Sequence, residues 1–591
     1  MKVREQRAWT LAPLLVALSS LALAQGKLLD GPSWTAESNK KNAYFGRSAA
    51  SAGDVNGDGI DDVIVGAVSF SNGENHEGRA FLYLGSTGGL SLSPAWTAES
   101  DQPLAGFGGH VASAGDVNGD GFDDVVVGAA GFDNGHVREG RVSLFLGSAS
   151  GLSLVADWTA YGGQADARFG QSVESAGDVN GDGFDDIVVG VPSFENGQPR
   201  EGRVYVYFGS ANGPSLTPDW TAEGDQETAY FGESVASAGD VNGDGFDDVI
   251  VGAPFFDGGF SNEGRAFLYF GSANGLSLVA DWTAEGGQTE ARFGYHVASA
   301  GDVDGDGFDD IAVGAVGFDN GLEEDAGRAL VYLGSASGPS LTAGWTVEGE
   351  QSQTRIGWSI AGAGDVDGDG FDDVIVGAIG YGQASEGGAF LYMGSATGLS
   401  PTAVWTAESN EDGAWFGWSV AGAGDVNGDG LADVIVGAPR FSAGQFSEGR
   451  AFLYQGDAEP LGTSYCTSSV NSSANVAVIT ASGSELVLDQ QVLLRALGCP
   501  AGVPGIFYFG TTSISVPFGD GFRCASGSIR RVHDVVTTDP SGVASHLLDF
   551  AAPYASSIVS GADLRFQYMF RDVAAGMSGF NLSNGLRIAF Q

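Results

Sequence analysis

The sequence predicts an all-β chain: a seven-bladed β-propeller of four-stranded blades with a C-terminal β-sandwich-like domain. Three observations predict it. A nine-residue acidic phrase starts at Asp54, Asp116, Asp178, Asp240, Asp302, Asp365 and Asp425, at spacings of 62 residues four times, then 63, then 60. Each repeat holds four short segments rich in β-branched and aromatic residues, separated by Gly-rich turns and without helical period. Seven Trp-Thr pairs (Trp34, Trp96, Trp158, Trp220, Trp282, Trp345 and Trp405) run one step out of phase with the phrases, since the first precedes every phrase and none follows the last. The offset predicts a closed ring in which the Trp34 segment supplies the outer strand of the last blade and removes an open sheet edge. An open solenoid has no use for it.

Residues 1–24 have the anatomy of a secretory signal: a basic head (Lys2, Arg4, Arg7), an apolar stretch from Leu11 to Leu23, and small residues at Ala22-Leu23-Ala24. The alternative, an uncleaved anchor, needs roughly 20 apolar residues, more than this stretch offers. The mature chain is expected to be exported, as a secreted, cell-surface or periplasmic protein without a transmembrane segment.

Residues 25–461 form the expected propeller. In one unit, Phe107 to Gly115 leads into the acidic loop, and Asp124-Val125-Val126-Val127-Gly128-Ala129 follows. After a variable loop come Glu139-Gly140-Arg141-Val142-Ser143-Leu144-Phe145, and a turn leads to Asp157-Trp158-Thr159-Ala160. Asp and Glu outnumber Lys and Arg by 74 to 26, for a net charge of −48. Such a polyanion repels nucleic acid and anionic lipid and attracts divalent cations. The acids fall at fixed positions in a chain that is 43% hydrophobic, which argues against disorder.

Hard cations such as calcium take six to eight oxygen ligands. The first loop offers Asp54, Asn56, Asp58 and Asp62 at positions 1, 3, 5 and 9, with the carbonyl of Ile60 at position 7. Gly57 and Gly59 let the backbone curl between them. The second set is Asp116, Asn118, Asp120, Phe122 and Asp124; the third is Asp178, Asn180, Asp182, Phe184 and Asp186. The fourth is Asp240, Asn242, Asp244, Phe246 and Asp248; the fifth is Asp302, Asp304, Asp306, Phe308 and Asp310. The sixth is Asp365, Asp367, Asp369, Phe371 and Asp373; the seventh is Asp425, Asn427, Asp429, Leu431 and Asp433. Position 8 is Asp in six copies and Ala432 in the seventh. An EF-hand would need an acid at position 12 and a following helix, whereas position 12 here is an apolar residue such as Val65 or Val127 in a β-type run. A plain hairpin turn explains the glycines but not alternate liganding groups repeated seven times.

Phe45-Gly46, Phe107-Gly108, Phe169-Gly170, Phe231-Gly232, Phe293-Gly294 and Phe416-Gly417 open six repeats with the same pair, and Ile356-Gly357 departs from it in repeat six. Gly252-Ala253-Pro254 and Gly437-Ala438-Pro439 follow the acidic loop in two repeats. With these elements the chain resembles the FG-GAP repeat family, found in the propeller of integrin alpha subunits and in many exported bacterial proteins. The resemblance implies calcium in the acidic loops, as a structural ion.

Glu-Gly-Arg, as at Glu77-Gly78-Arg79, reads as a recurrent strand start with a local ion pair. His110 and His296 replace a Ser found in the other repeats and read as structural. Trp358, Trp415 and Trp418 break the repeat pattern, as rim packing or as a surface that stacks on sugars. The sequence holds no Gly-x-Ser-x-Gly, no His-Glu-x-x-His and no Walker loop, and only six histidines offer a base.

Residues 462–591 have a different composition and hold all three cysteines. Alternating runs such as Val476 to Thr480 suggest a small β-sandwich. The phrases around Tyr465-Cys466-Thr467, Pro517 to Cys524 and Gly579 to Ser583 resemble a C-terminal module of exported repeat-rich proteins. Cys466 and Cys524 are the favoured disulfide, with Cys499 as the possible third party. The expected function is a monomeric, non-catalytic, calcium-stabilised binding or adhesion module for an extracellular protein or glycan. A carbohydrate-binding propeller is the alternative and a hydrolase the third reading. Ligand contacts are expected from variable loops such as Ser71–His76, Asp133–Arg138 and Asp257–Asn262.

Overall fold

A computed structural model describes residues 27–29, 31–457, 463–466, 471–473, 476–483, 492–532, 535–538, 543–548, 550, 552–559, 562–572 and 580–590. The expected signal segment, residues 1–24, lies outside them.

Seven four-stranded antiparallel sheets follow one another along the chain. Blade 1 consists of Phe45–Gly53, Asp62–Ala67, Arg79–Tyr83 and Trp96–Glu99 in spatial order. The first strands of neighbouring blades pack against one another and surround a common axis. Each second strand (Asp62–Ala67 and its six equivalents) is buried along its whole length. That burial explains its continuous Val/Ile run, because a strand covered on both faces has no reason to alternate.

The ring closes as the Trp phase predicts. Trp34–Glu37 pairs with Arg450–Tyr454 in the sheet of Ser419–Gly424 and Asp433–Ala438, with Trp34 opposite Leu453. A second clasp, which the sequence reading did not foresee, pairs Lys27–Leu28 with Gly456–Asp457.

The apolar cores lie between blades. One cluster joins Ile64, Leu82 and Trp96 of blade 1 to Phe107, Val125, Val127 and Phe145 of blade 2. Each Trp of the Trp-Thr pairs reaches across this boundary. Trp34 donates its indole N–H to the Ser91 carbonyl at 3.0 Å and meets Tyr83 edge-on at 4.8 Å. Trp405 likewise reaches blade 7, donating to Leu29 and packing on Tyr454. The FG and GAP glycines meet at the same seam: a Cβ on Gly66 would stand 2.0 Å from the carbonyl oxygen of Gly108. Only glycine permits that approach, and Gly108 also has φ +77°.

The Glu-Gly-Arg expectation needs correction. In four of the five motifs the arginine pairs with the glutamate that ends the outer strand: Arg79 with Glu99, Arg203 with Glu223, Arg265 with Glu285 and Arg450 with Glu37; Arg141 instead lies opposite Tyr161, and Arg328, which follows Ala326-Gly327, pairs with Glu348 in the same way. The motif's own glutamate is buried and ties down the loop before it. Glu448 accepts backbone N–H groups from Ala443, Gly444 and Gln445. Cross-strand register, not sequence adjacency, selects the partner: Arg79 lies opposite Glu99 in the ladder.

In the C-terminal region one sheet runs Thr463–Cys466, Gly585–Ala589, Asp563–Arg571, Pro504–Gly510 and Arg530–Arg531. A second runs Val478–Gly483, Val492–Leu497 and Ala544–Leu547. Ile479 and Leu494 of the second sheet share one core with Phe507, Phe566, Tyr568 and Ile588 of the first. Cys499 is free and buried, and burial pushes its thiol up to about 12. The side chain of Cys466 lies outside the described residues.

Candidate metal centres

Every acidic phrase forms the turn between the first and second strands of its blade. All seven loops therefore stand at one end of the ring. The FG pairs and the loops between second and third strands stand at the other.

The loop is folded by its own carboxylates. Asp54 accepts the N–H groups of Gly57 (2.7 Å) and Asp58 (3.0 Å) on Oδ1, and that of Gly59 (2.7 Å) on Oδ2. Gly57 and Gly59 have φ +72° and +83°, as the curl requires. Asp58 accepts the Ile60 N–H at 3.1 Å. Asp62 is fully buried and joins two strands: its Oδ2 accepts from Val55 (3.2 Å) and its Oδ1 from Gly85 (2.8 Å). The same two bonds recur at Asp124, Asp186, Asp248, Asp310, Asp373 and Asp433. Burial pushes these position-9 carboxyls up, to about 7 at Asp62 and about 8 at Asp186 and Asp248. A cation beside such groups would favour their ionised form.

Two observations fit the donor set to a hard divalent cation. Asp302, Asp304 and Asp306 offer oxygens within 4.8 Å of one another, as do Asp365, Asp367 and Asp373. These are the two loops with Asp rather than Asn at position 3. The Oδ1 atoms of Asn118 and Asp304, both at position 3, are buried without a hydrogen-bond partner. An orphaned oxygen at a ligand position is what a bound cation would satisfy.

Position 8 has a role that no single repeat displays. The carboxylate of each position-8 Asp accepts the N–H of the position-1 Asp in the preceding blade. Asp123 takes Asp54 (2.8 Å), Asp185 takes Asp116 (2.8 Å), Asp247 takes Asp178 (2.8 Å) and Asp309 takes Asp240 (2.8 Å). Asp372 takes Asp302 (3.0 Å), and Asp61 takes Asp425 across the ring closure (2.7 Å). Blade 7 carries Ala432 here, directly over Gly364, so the latch from Asp365 is missing. Position 7 also has an unforeseen part: the Phe122 ring lies against Gly57, Phe184 against Gly119, Leu431 against Gly368 and Ile60 against Gly428. Each loop is thus keyed to its neighbours. The 69-residue separation of partners, 62 plus 7, was the signal that could have found the latch.

At the opposite end, His110 Nδ1 donates to the Val173 carbonyl at 3.1 Å, and burial pulls both His110 and His296 down to about 4. Ser48 occupies the equivalent place in blade 1 and accepts the Val111 N–H at 3.0 Å, so Ser and His alike tie a blade to the next. Trp358, Trp415 and Trp418 come together there.

Fold and loops together define a closed seven-bladed β-propeller with an acidic hairpin loop in every blade. The FG-GAP repeat matches residues 45–83, 107–145, 169–207, 231–269, 293–332, 356–392 and 416–454, and the chain belongs to the FG-GAP repeat proteins. It is similar to integrin alpha-V of Gallus gallus, 37% identical over 228 residues, which are 37% of this chain and 21% of that protein. It is similar to integrin alpha-5 of Xenopus laevis, 35% identical over 224 residues, 36% of this chain and 20% of that protein. Phosphatidylinositol-glycan-specific phospholipase D of Homo sapiens is 30% identical over 404 residues, 61% of this chain and 47% of that protein. The chain therefore spans about a fifth of these integrins and about half of the phospholipase.

Proposed function

We propose that the chain is a secreted, non-catalytic binding and adhesion module whose acidic loops hold calcium as structural ions. The carrying observation is the division between its two ends. At the loop end, liganding positions, latches and stacking residues repeat with almost no change. At the other end, the loops between second and third strands differ from blade to blade, and a binding platform needs such variation. Calcium is the favoured ion because the donors are all oxygens, and because an exported chain meets it at high concentration. The similarity to integrins supports an adhesive role. His110 and His296, the two histidines that line the axial cavity, are buried and held neutral, which supports a non-catalytic reading of that cavity. A Cys466–Cys524 disulfide in the C-terminal module suits an oxidising compartment, with Cys499 free and buried.

The full-length chain, immobilised with calcium, is expected to retain cells or extracellular material, to release them on chelation, and to yield no hydrolysis product. Release of a cleaved product would replace this reading with the hydrolase one. Non-reducing peptide mapping that finds Cys466 and Cys524 as free thiols would remove the disulfide.

A further inference from the structure

A cavity of about 600 Å³ lies on the propeller axis, lined by the first strands of all seven blades. At its mouth stand the residues that follow each FG pair: Arg47, Gly109, Gln171, Glu233, Tyr295, Trp358 and Trp418. The next position holds only Ser or His, and the one after only Ala, Val or Ile. Positions shared by all blades serve the fold. A ring position that changes from blade to blade between constant neighbours is free to serve a ligand.

The ring is amphipathic. Blades 5 to 7 build a continuous aromatic arc: Tyr295 and Trp358 lie 4.9 Å apart, as do Trp358 and Trp418, and Trp415 stacks behind Trp418 at 5.1 Å. Blades 1, 3 and 4 supply Arg47, Gln171 and Glu233, while Gly109 leaves its sector open. The Arg47 guanidinium covers the Trp418 ring at 5.1 Å, where the two arcs join. One level down, Glu174 replaces the Ala of the six other blades, and its carboxyl has no hydrogen-bond partner among the described residues.

We propose that this mouth binds a neutral pyranose sugar, with the C–H face of the ring on the aromatic arc and its hydroxyls on Arg47, Gln171 and Glu233. The proposal rests on the binding-module reading and names its ligand class. A guanidinium, an amide and a carboxylate each present two polar atoms in a plane, which suits neighbouring hydroxyls. A cation would meet Arg47, and an anion would meet Glu233 and Glu174; a neutral polyol meets neither. The cavity lies within the roughly 300–1,000 Å³ usual for small-ligand sites.

The test titrates the full-length, calcium-loaded protein with neutral mono- and disaccharides, glucosamine, a sialic acid and free arginine, reading tryptophan fluorescence and heat. Saturable binding of a neutral sugar is expected, weakened about tenfold by Glu233→Gln and by Trp418→Ala. Glu233→Gln keeps the side-chain volume and covers the case in which Trp418→Ala fails to fold. The proposal is overturned if no neutral sugar binds, if only arginine or a charged sugar binds, or if Glu233→Gln leaves sugar affinity unchanged. Calcium-dependent retention of cells without sugar binding would remove this site and keep the module. Turnover of a substrate would remove the module.

Discussion

Asp123 shows how much rests on one side chain. Its carboxylate receives the Asp54 N–H of the neighbouring blade, and a Cβ on Gly53 would lie 2.2 Å from its Oδ2. Asp123→Ala removes a charged acceptor from a half-buried amide and should cost about 1.5–3 kcal/mol by chemical denaturation. The reciprocal change, Ala432→Asp, supplies the latch that the blade 6–7 seam lacks and should stabilise by about 1 kcal/mol. Glu174 behaves differently, because desolvation raises it to about 8 while its usual value is 4.5. The folded state therefore holds a proton that the unfolded state releases, and the cost of Glu174 grows as pH rises from 4.5 through about 8. Arg47, His110, Glu233 and His296 line the same cavity, both histidines neutral across this window. Glu174→Ala should leave the melting temperature near that of the parent at pH 5 and raise it at pH 9. The recurrent acids of each loop were legible in the sequence because their chemistry repeats there. Positions 7 and 8 were not, because their partners sit one repeat away and only the closed ring brings them together.

At the scale of the strand, the informative element is Trp34–Glu37, which belongs by sequence to the start of the chain and by hydrogen bonding to its last blade. The phase of seven Trp-Thr pairs against seven acidic phrases made this legible, since counting needs no side-chain geometry. The Lys27–Leu28 clasp was illegible because two residues carry no period. Cross-strand pairing defeated the reading of Glu-Gly-Arg in the same way: a ladder of register, not the chain, sets Arg79 against Glu99. Trp34→Ala removes an indole N–H bond to blade 1 and a ring packed on Tyr83. The cost should be about 3–5 kcal/mol, seen as a lower denaturation midpoint and faster proteolysis at the closure.

For the whole molecule, seven repeated acidic loops stand at one end and a ring of varied residues at the other. The loops are interlocked: a backbone bond such as that from Asp123 N–H to the Asp54 carbonyl at 3.3 Å and an apolar position-7 side chain couple neighbouring sites, with the carboxylate latch added at every seam but that of blades 6 and 7. Metal bound in one loop therefore orders its neighbours, and the propeller should melt as one unit. A ligand at ten times its dissociation constant adds about 1.4 kcal/mol per site, so seven filled loops add about 10 kcal/mol. The fold was legible to this scale because repetition multiplies a weak strand signal sevenfold; the ligand was not, because a position that varies between repeats has no internal comparison. The most direct measurement is calorimetric melting of the full-length chain with millimolar calcium and after chelation. The account predicts a single propeller transition that falls by more than 10 °C when calcium is removed and recovers when it is returned. Identical melting in both conditions would contradict it.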